Sequence, residues 1–183
     1  MPISSFTIVP AIACELNYYK PKSVLDLGCG NGFYGAVVRT FVDMGVGNVT
    51  RIVGVEGFPQ YEFDNLGWHH YSFVRRGTIA DYLAGSVENF DAILFLDVIE
   101  HMPANEGMAL LETLKGRLNP GGILLVSTPG IFVAQGAEYG NELEKHVSFY
   151  DDGDFTAKGF VLLRSGIRAD YYNQRMTIAK YTK

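Results

Sequence analysis

Residues 24–35 read Val-Leu-Asp-Leu-Gly-Cys-Gly-Asn-Gly-Phe-Tyr-Gly, and this stretch constrains the fold more than any other. Val24, Leu25 and Leu27 form a short apolar run suited to a buried strand. Asp26 interrupts that run, where a carboxylate is costly unless something uses it. Gly28, Gly30 and Gly32 then allow a tight turn and close approach of backbone to a ligand, with Cys29 inside the turn. Val37, Val38, Phe41 and Val42 follow at helical spacing. Strand, glycine turn and helix in that order hold a nucleotide-like cofactor at the carboxyl end of a sheet.

The rest of the chain repeats the alternation. Residues 1–20 read as a loose start and a short helix, with Pro10 in its first turn and Ile8, Ile12, Leu16 and Tyr19 on one face. A sharper reading has this segment also closing over a ligand cleft. Strands are expected at 23–27, 51–55, 72–75, 90–96 and 123–127, and helices at 32–44, 79–84 and 104–118. Glu56 and Gly57 follow the second strand, and an acidic residue there suits two ribose hydroxyls. Asn119-Pro-Gly-Gly122 is a turn signal before the fifth strand. Residues 131–146 form a long connection of the kind that often carries function, and Asp151 caps a short helix over 151–158. Residues 160–164 and 175–181 read as a closing antiparallel hairpin.

This order predicts an α/β fold with a mostly parallel sheet, helices on both faces and right-handed crossovers. Asp26, Gly28, Glu56, Thr78 and Asp97 then fall at the carboxyl ends of the strands, around one crevice. The aromatics of residues 58–73 (Phe58, Tyr61, Phe63, Trp68, Tyr71 and Phe73) read mainly as packing, with one or two near Glu56 covering a flat ring.

Composition narrows the partners. A net charge of −5 argues against a strong nucleic-acid binder. Cys14 and Cys29 have no metal or redox spacing, Pro2 and Pro10 break any signal-peptide pattern, and no apolar run approaches the ~20 residues of a membrane span. A reduced, cytoplasmic protein of one domain over residues 1–183 is the expectation.

On these motifs the chain resembles the class I S-adenosylmethionine-dependent methyltransferases over nearly its whole length. Residues 24–32 are similar to the family's first motif, Val-Gly-Val-Glu (53–56) to its second, and residues 90–102 to its fourth. Residues 118–127 match its turn and fifth strand. The resemblance implies a Rossmann-like, seven-stranded sheet of order 3-2-1-4-5-7-6 with the last strand antiparallel. It also implies S-adenosyl-L-methionine as cofactor. Asp26 and the turn Gly28, Cys29 and Gly30 would meet its methionine and ribose part, and Glu56 the ribose hydroxyls. Gly57 and Phe58 would flank adenine, and Asp97 would face the methionine amino group and the sulfonium. Many relatives place an aspartate after the glycine at the end of the third strand. Here Thr78 follows Gly77, so either Thr78 and the backbone of Ile79 meet the adenine amine or Asp81 reaches back.

Methyl transfer from a sulfonium needs alignment in a dry cleft, and a base only where the nucleophile must lose a proton. His101 is the first candidate for that base and His146 the second, brought over the crevice by the loop 131–150 on the substrate side. The acceptor is expected to be a small molecule. An alternative resemblance joins Asp97, Glu100, His101 and His146 into the ligand set of a metal-assisted O-methyltransferase. Two further alternatives are a non-catalytic cofactor-binding relative and an NAD(P)-dependent oxidoreductase. The latter rests on the G-x-G-x-x-G match of residues 30–35.

Overall fold

In the computed structural model, which describes residues 5–47, 49–62, 67–138, 140–171 and 173–183, the chain alternates strands and helices as the sequence predicts. Strand β1 is Ser23–Leu27, β2 Arg51–Glu56, β3 Phe73–Arg76, β4 Phe90–Leu96, β5 Leu118–Pro129, β6 Val161–Arg164 and β7 Met176–Thr182. The helices are α1 Val9–Tyr19, α2 Phe33–Phe41, α3 Ile79–Gly85, α4 Ala104–Gly116 and α5 Asp152–Thr156. Among the described residues the strands form one sheet of order β3-β2-β1-β4-β5-β7-β6. Strands β1 to β5 pair in parallel, and β7 runs antiparallel to both β5 and β6. This is the Rossmann-like order that the motifs imply. No described helix is long and apolar enough to cross a membrane.

The central strands are apolar on both faces because both faces are covered. Side chains alternate along each strand. Val24, Ala92, Leu94 and Leu125 therefore join one core with Ile12 and Leu16 of α1 and Val37 and Val38 of α2. Leu25, Ile93, Phe95 and Val126 join the other core with Leu111 and Leu114 of α4 and Phe155 of α5. Asp151 caps α5 through a reciprocal pair with Asp154, as its position predicts.

Three details depart from the sequence reading. Helix α2 is shorter than 32–44; its buried apolar residues end at Val38, Arg39 is also buried, and Phe41 lies exposed at the last turn. The Asn119–Gly122 turn sits inside β5 as a bulge. Leu118 pairs with Phe90 and Ile123 with Ala92, so four residues are looped out where β4 spends one. Gly121 takes φ +77° there, and its N–H bonds the Lys183 carbonyl. In the aromatic segment Tyr61 and Tyr71 are buried but Phe73 is exposed on the edge strand, and Phe63 lies outside the described residues.

Phe95 is fully buried between layers, whereas Phe41 is half exposed. Phe95→Ala is expected to cost about 3–5 kcal/mol in urea unfolding, and Phe41→Ala under about 0.5 kcal/mol. Similar losses for the two would contradict this packing.

Candidate active site

A cavity of about 520 Å³ opens at the carboxyl ends of β1, β2 and β4. That volume lies in the roughly 300–1,000 Å³ range of small-molecule sites. Its wall includes Asp26, Gly28, Cys29, Gly30, Glu56 and Asp97. The glycine turn is held by the N–H groups of Gly28 and Cys29 on the Val55 carbonyl, at 2.9 and 3.1 Å. Gly28 has φ +73°, and a Cβ there would lie 2.7 Å from Val98 Cγ2, so no other residue fits without a shift.

Glu56 joins two turns. Its Oε2 accepts the Gly30 N–H and its Oε1 the Phe58 N–H, each at 2.8 Å. Burial raises its pKa, while the backbone N–H groups of Phe58, Gly30 and Gly57 work in the opposite sense. An ionised carboxylate has about four lone-pair sites, so these backbone bonds leave Glu56 some acceptor capacity for a further donor. Burial, with the charges of Asp26 and Glu56, pushes the Cys29 thiol far up, so it stays a neutral wall group. Phe58 enters through its backbone. Its ring packs edge-on against Tyr61 at 4.9 Å and is not part of the cavity wall.

Asp26 is 3% exposed, and its pKa is pushed up to about 7 by burial. The Tyr71 hydroxyl, which donates to Asp26 Oδ2, lowers it, and the Glu56 charge raises it. Tyr71 and Trp68 are site residues that sequence reasoning took for packing. The Trp68 indole N–H bonds the Gly30 carbonyl at 2.7 Å, and the Gly67 N–H bonds the Asn31 carbonyl at 3.1 Å. Segment 67–71 thus braces the glycine turn from outside. Gly35, the last glycine of the G-x-G-x-x-G match, is small for the same reason: a Cβ there would lie 2.3 Å from Tyr71 Cε2.

The opposite wall begins at Asp97, which takes φ +54°. Its carboxylate accepts the Ser127 hydroxyl and, at 3.0 Å, the Ser5 N–H, so the N-terminal segment reaches the cavity rim. The next turn carries Glu100 and His101. Glu100 is 2% exposed, and burial beside the Asp97 carboxylate holds its pKa well above the usual range. Its Oε2 has no hydrogen-bond partner among the described residues.

The N–H groups of Val147 and Ser148 bond the Glu100 carbonyl at 2.9 and 3.2 Å, and this pins the 131–150 loop beside His101. The His101 and His146 rings stand 4.9 Å apart. His101 Nδ1 faces the Lys145 carbonyl at 3.2 Å, and His146 Nδ1 faces the Val133 carbonyl at 2.7 Å. A carbonyl only accepts, so both rings carry a proton on Nδ1, which leaves Nε2 of neutral His101 as a lone pair. Burial lowers the pKa of His101, which keeps it neutral at physiological pH. His101 lines the cavity, while His146 stands against His101 outside the wall. Donor atoms of Glu100, His101 and His146 lie within 4.8 Å of one another, a set that omits Asp97.

The loop 131–150 does more than face the substrate side. It crosses to the end of β2, where Asn141, Leu143 and Glu144 line the cavity. Tyr61 donates to Glu144 Oε1 at 2.8 Å, and Leu143 Cδ1 would lie 2.7 Å from a Cβ on Gly57. Sequence offered no signal for these three residues beyond the length of the loop. Thr78 and Ile79 also line the cavity, but Asp81 is spent on Thr78: its Oδ2 accepts the Thr78 hydroxyl at 2.7 Å, and Thr78 Oγ1 accepts the Asp81 N–H, which caps α3. Five carboxylate side chains line the wall (Asp26, Glu56, Asp97, Glu106 and Glu144), and among the described residues no lysine or arginine does.

Comparison with known proteins agrees with this geometry. The family described as "Methyltransferase domain" matches residues 14–157. Ubiquinone biosynthesis O-methyltransferase of Haemophilus ducreyi is 27% identical over 138 residues, covering 70% of this chain and 56% of that protein. Its counterpart in Dinoroseobacter shibae is 32% identical over 121 residues, covering 61% and 43%. The chain thus spans about half the length of these curated relatives. In structure it is similar to TehB from Haemophilus influenzae, with TM-score 0.67 and 13% identity over 98% of this chain and 63% of that one. It is also similar to the N-methyltransferase NodS from Bradyrhizobium japonicum, in complex with S-adenosyl-L-homocysteine. There the TM-score is 0.59 and the identity 15%, covering 95% and 86%. The fold and the site define a class I methyltransferase, and the chain belongs to the S-adenosylmethionine-dependent methyltransferase family.

Gly35 and Gly116 are both helical, where alanine is normally better by up to about 1 kcal/mol. Nothing lies within 4 Å of a Cβ on Gly116. Gly116→Ala is therefore expected to raise the thermal midpoint and Gly35→Ala to lower it. A rise in both would contradict the contact between Gly35 and Tyr71.

Proposed function

We propose that residues 1–183 act as one methyltransferase domain that methylates a hydroxyl of a small, uncharged molecule. The observation that carries this reading is the cavity wall: carboxylates with, among the described residues, no lysine or arginine, at the carboxyl ends of parallel strands. Such a wall suits a cationic sulfonium compound and leaves the diphosphate of a dinucleotide without a basic partner. It therefore favours this reading over the oxidoreductase one. The names of the curated relatives favour oxygen as the acceptor atom.

In this reading the spare lone pairs of Glu56 accept the ribose hydroxyls. Asp26 and the turn Gly28, Cys29 and Gly30 border the methionine part, and Asp97 faces its amino group. Gly57, Thr78 and Ile79 border adenine, with Leu143 and Tyr61 closing over it. When bound, S-adenosylmethionine supplies an electrophilic methyl group on a positively charged sulfur. His101 takes the acceptor's hydroxyl proton at Nε2, its Nδ1–H held by the Lys145 carbonyl. His146 supports the ring from behind. Residues 1–20 and the loop 131–150 frame the cavity, in keeping with the contact of Ser5 on Asp97 and of Leu143 beside Gly57.

A second reading is favoured by the donor atoms of Glu100, His101 and His146, which lie within 4.8 Å of one another, and by Glu100 Oε2, which has no hydrogen-bond partner among the described residues. There Glu100, His101 and His146 would hold a divalent cation, which would supply Lewis-acid polarisation of the acceptor hydroxyl.

Methyl-labelled cofactor incubated with a metabolite extract tests the first reading, and chelator-stripped enzyme separates it from the second. Label is expected in a small molecule, equally with and without magnesium, manganese or zinc. Activity that returns only with a metal would favour the second reading. Tight binding of S-adenosylhomocysteine with no labelled product would mark a non-catalytic relative. Glu56→Ala and Gly30→Val are each expected to weaken S-adenosylhomocysteine binding about tenfold or more, since each removes charge-assisted hydrogen bonding or the room for it. NAD is expected not to bind.

A further inference from the structure

Tyr71 enters the sheet through a slot that two glycines leave open. A Cβ on Gly35 of α2 would lie 2.3 Å from its Cε2, and one on Gly54 of β2 would lie 2.9 Å from its Cδ1. At the end of the slot the phenol oxygen accepts the Gly35 N–H at 3.0 Å and donates its own proton to Asp26 Oδ2. We propose that Tyr71 is a positioning residue, which fixes the Asp26 carboxylate toward the cavity and holds it ionised for a cationic group bound there.

The direction of the effect follows from which groups face Asp26. Glu56 approaches from β2 with a like charge, and Cys29 from the turn as a neutral thiol. The paired residues Gly54 of β2 and Leu94 of β4 carry no charge. Burial and Glu56 therefore both favour protonated Asp26, and the Tyr71 hydroxyl opposes them. Its own pKa is raised well above 10, by burial first and the Asp26 charge second, so it stays a donor throughout the working range. A hydrogen bond donated to an ionised carboxylate lowers its pKa. Asp26 titrates near 7, so its negative charge is complete only above that pH. The affinity of a cationic ligand then rises with pH through this titration and levels off above it. Gly35 and Gly54 both border the Tyr71 ring, and Gly54 also lies against Cys29, where a Cβ would stand 2.8 Å from Sγ. Tyr71 lies 45 residues from Asp26 in sequence, so the pair is invisible to any local motif.

The proposal rests on the reading of the cavity as a cofactor site, and its test separates the two. S-adenosylhomocysteine, whose methionine part carries a cationic amino group between Asp97 and Asp26 in the proposed reading, is titrated calorimetrically from pH 6 to 9 into the wild type, Tyr71→Phe and Asp26→Asn. The Asp26 carboxyl carbon is followed by NMR in the ligand-free wild type and Tyr71→Phe. The phenylalanine variant keeps the ring that fills the slot. Wild-type affinity is expected to rise through pH 7, and Asp26→Asn to rise less steeply, since burial also raises Asp97 and Glu56 in the same wall. In Tyr71→Phe both the binding profile and the carboxyl titration are expected to move up by about one unit or more. An Asp26 titration that stays in place or moves down in Tyr71→Phe overturns the proposal. If S-adenosylhomocysteine binds to none of the three proteins, the cofactor reading fails, while the carboxyl titration still decides the role of Tyr71.

Discussion

The site depends on one buried carboxylate. Glu56 closes β2 and draws in the Gly30 N–H from the turn after β1 and the Phe58 N–H from the turn after β2. Those two bonds set the distance between the turns, and that gap is one end of the cavity. Burying a carboxylate is costly, and two short charge-assisted hydrogen bonds offset part of the cost. Glu56 also lines the cavity.

Around that carboxylate three segments distant in sequence converge. Residues 67–71 brace the glycine turn through Trp68 and Tyr71, the 131–150 loop reaches the same end through Leu143 and Glu144, and Ser5 touches Asp97 across the opening. The loop also carries His146 to His101. One loop therefore touches both the end of β2 and the histidine pair.

Much of this was legible in the sequence, for physical reasons that differ by element. Strands β1 and β4 are buried on both faces, so they appear as short apolar runs with sharp ends, and their limits were read to the residue. The Asp151 cap was legible because capping is local. That Asp26, Glu56 and Asp97 would lie around one crevice was legible because a strand's carboxyl end is a sequence position, and all three line the cavity. The bulge in β5 was not found, because it depends on pairing with β4 and on the Lys183 backbone. Tyr71 was filed with the packing aromatics, since only the fold brings its hydroxyl to Asp26. Gly35 looked like part of a dinucleotide signature, yet its smallness answers to the Tyr71 ring.

The most direct test of this account is a crystal structure with S-adenosylhomocysteine bound. The account expects both ribose hydroxyls within roughly 2.6–3.2 Å of the Glu56 carboxylate oxygens, with the Gly30 and Phe58 N–H bonds retained. A nucleoside lodged elsewhere, or one whose ribose leaves Glu56 untouched, would contradict it.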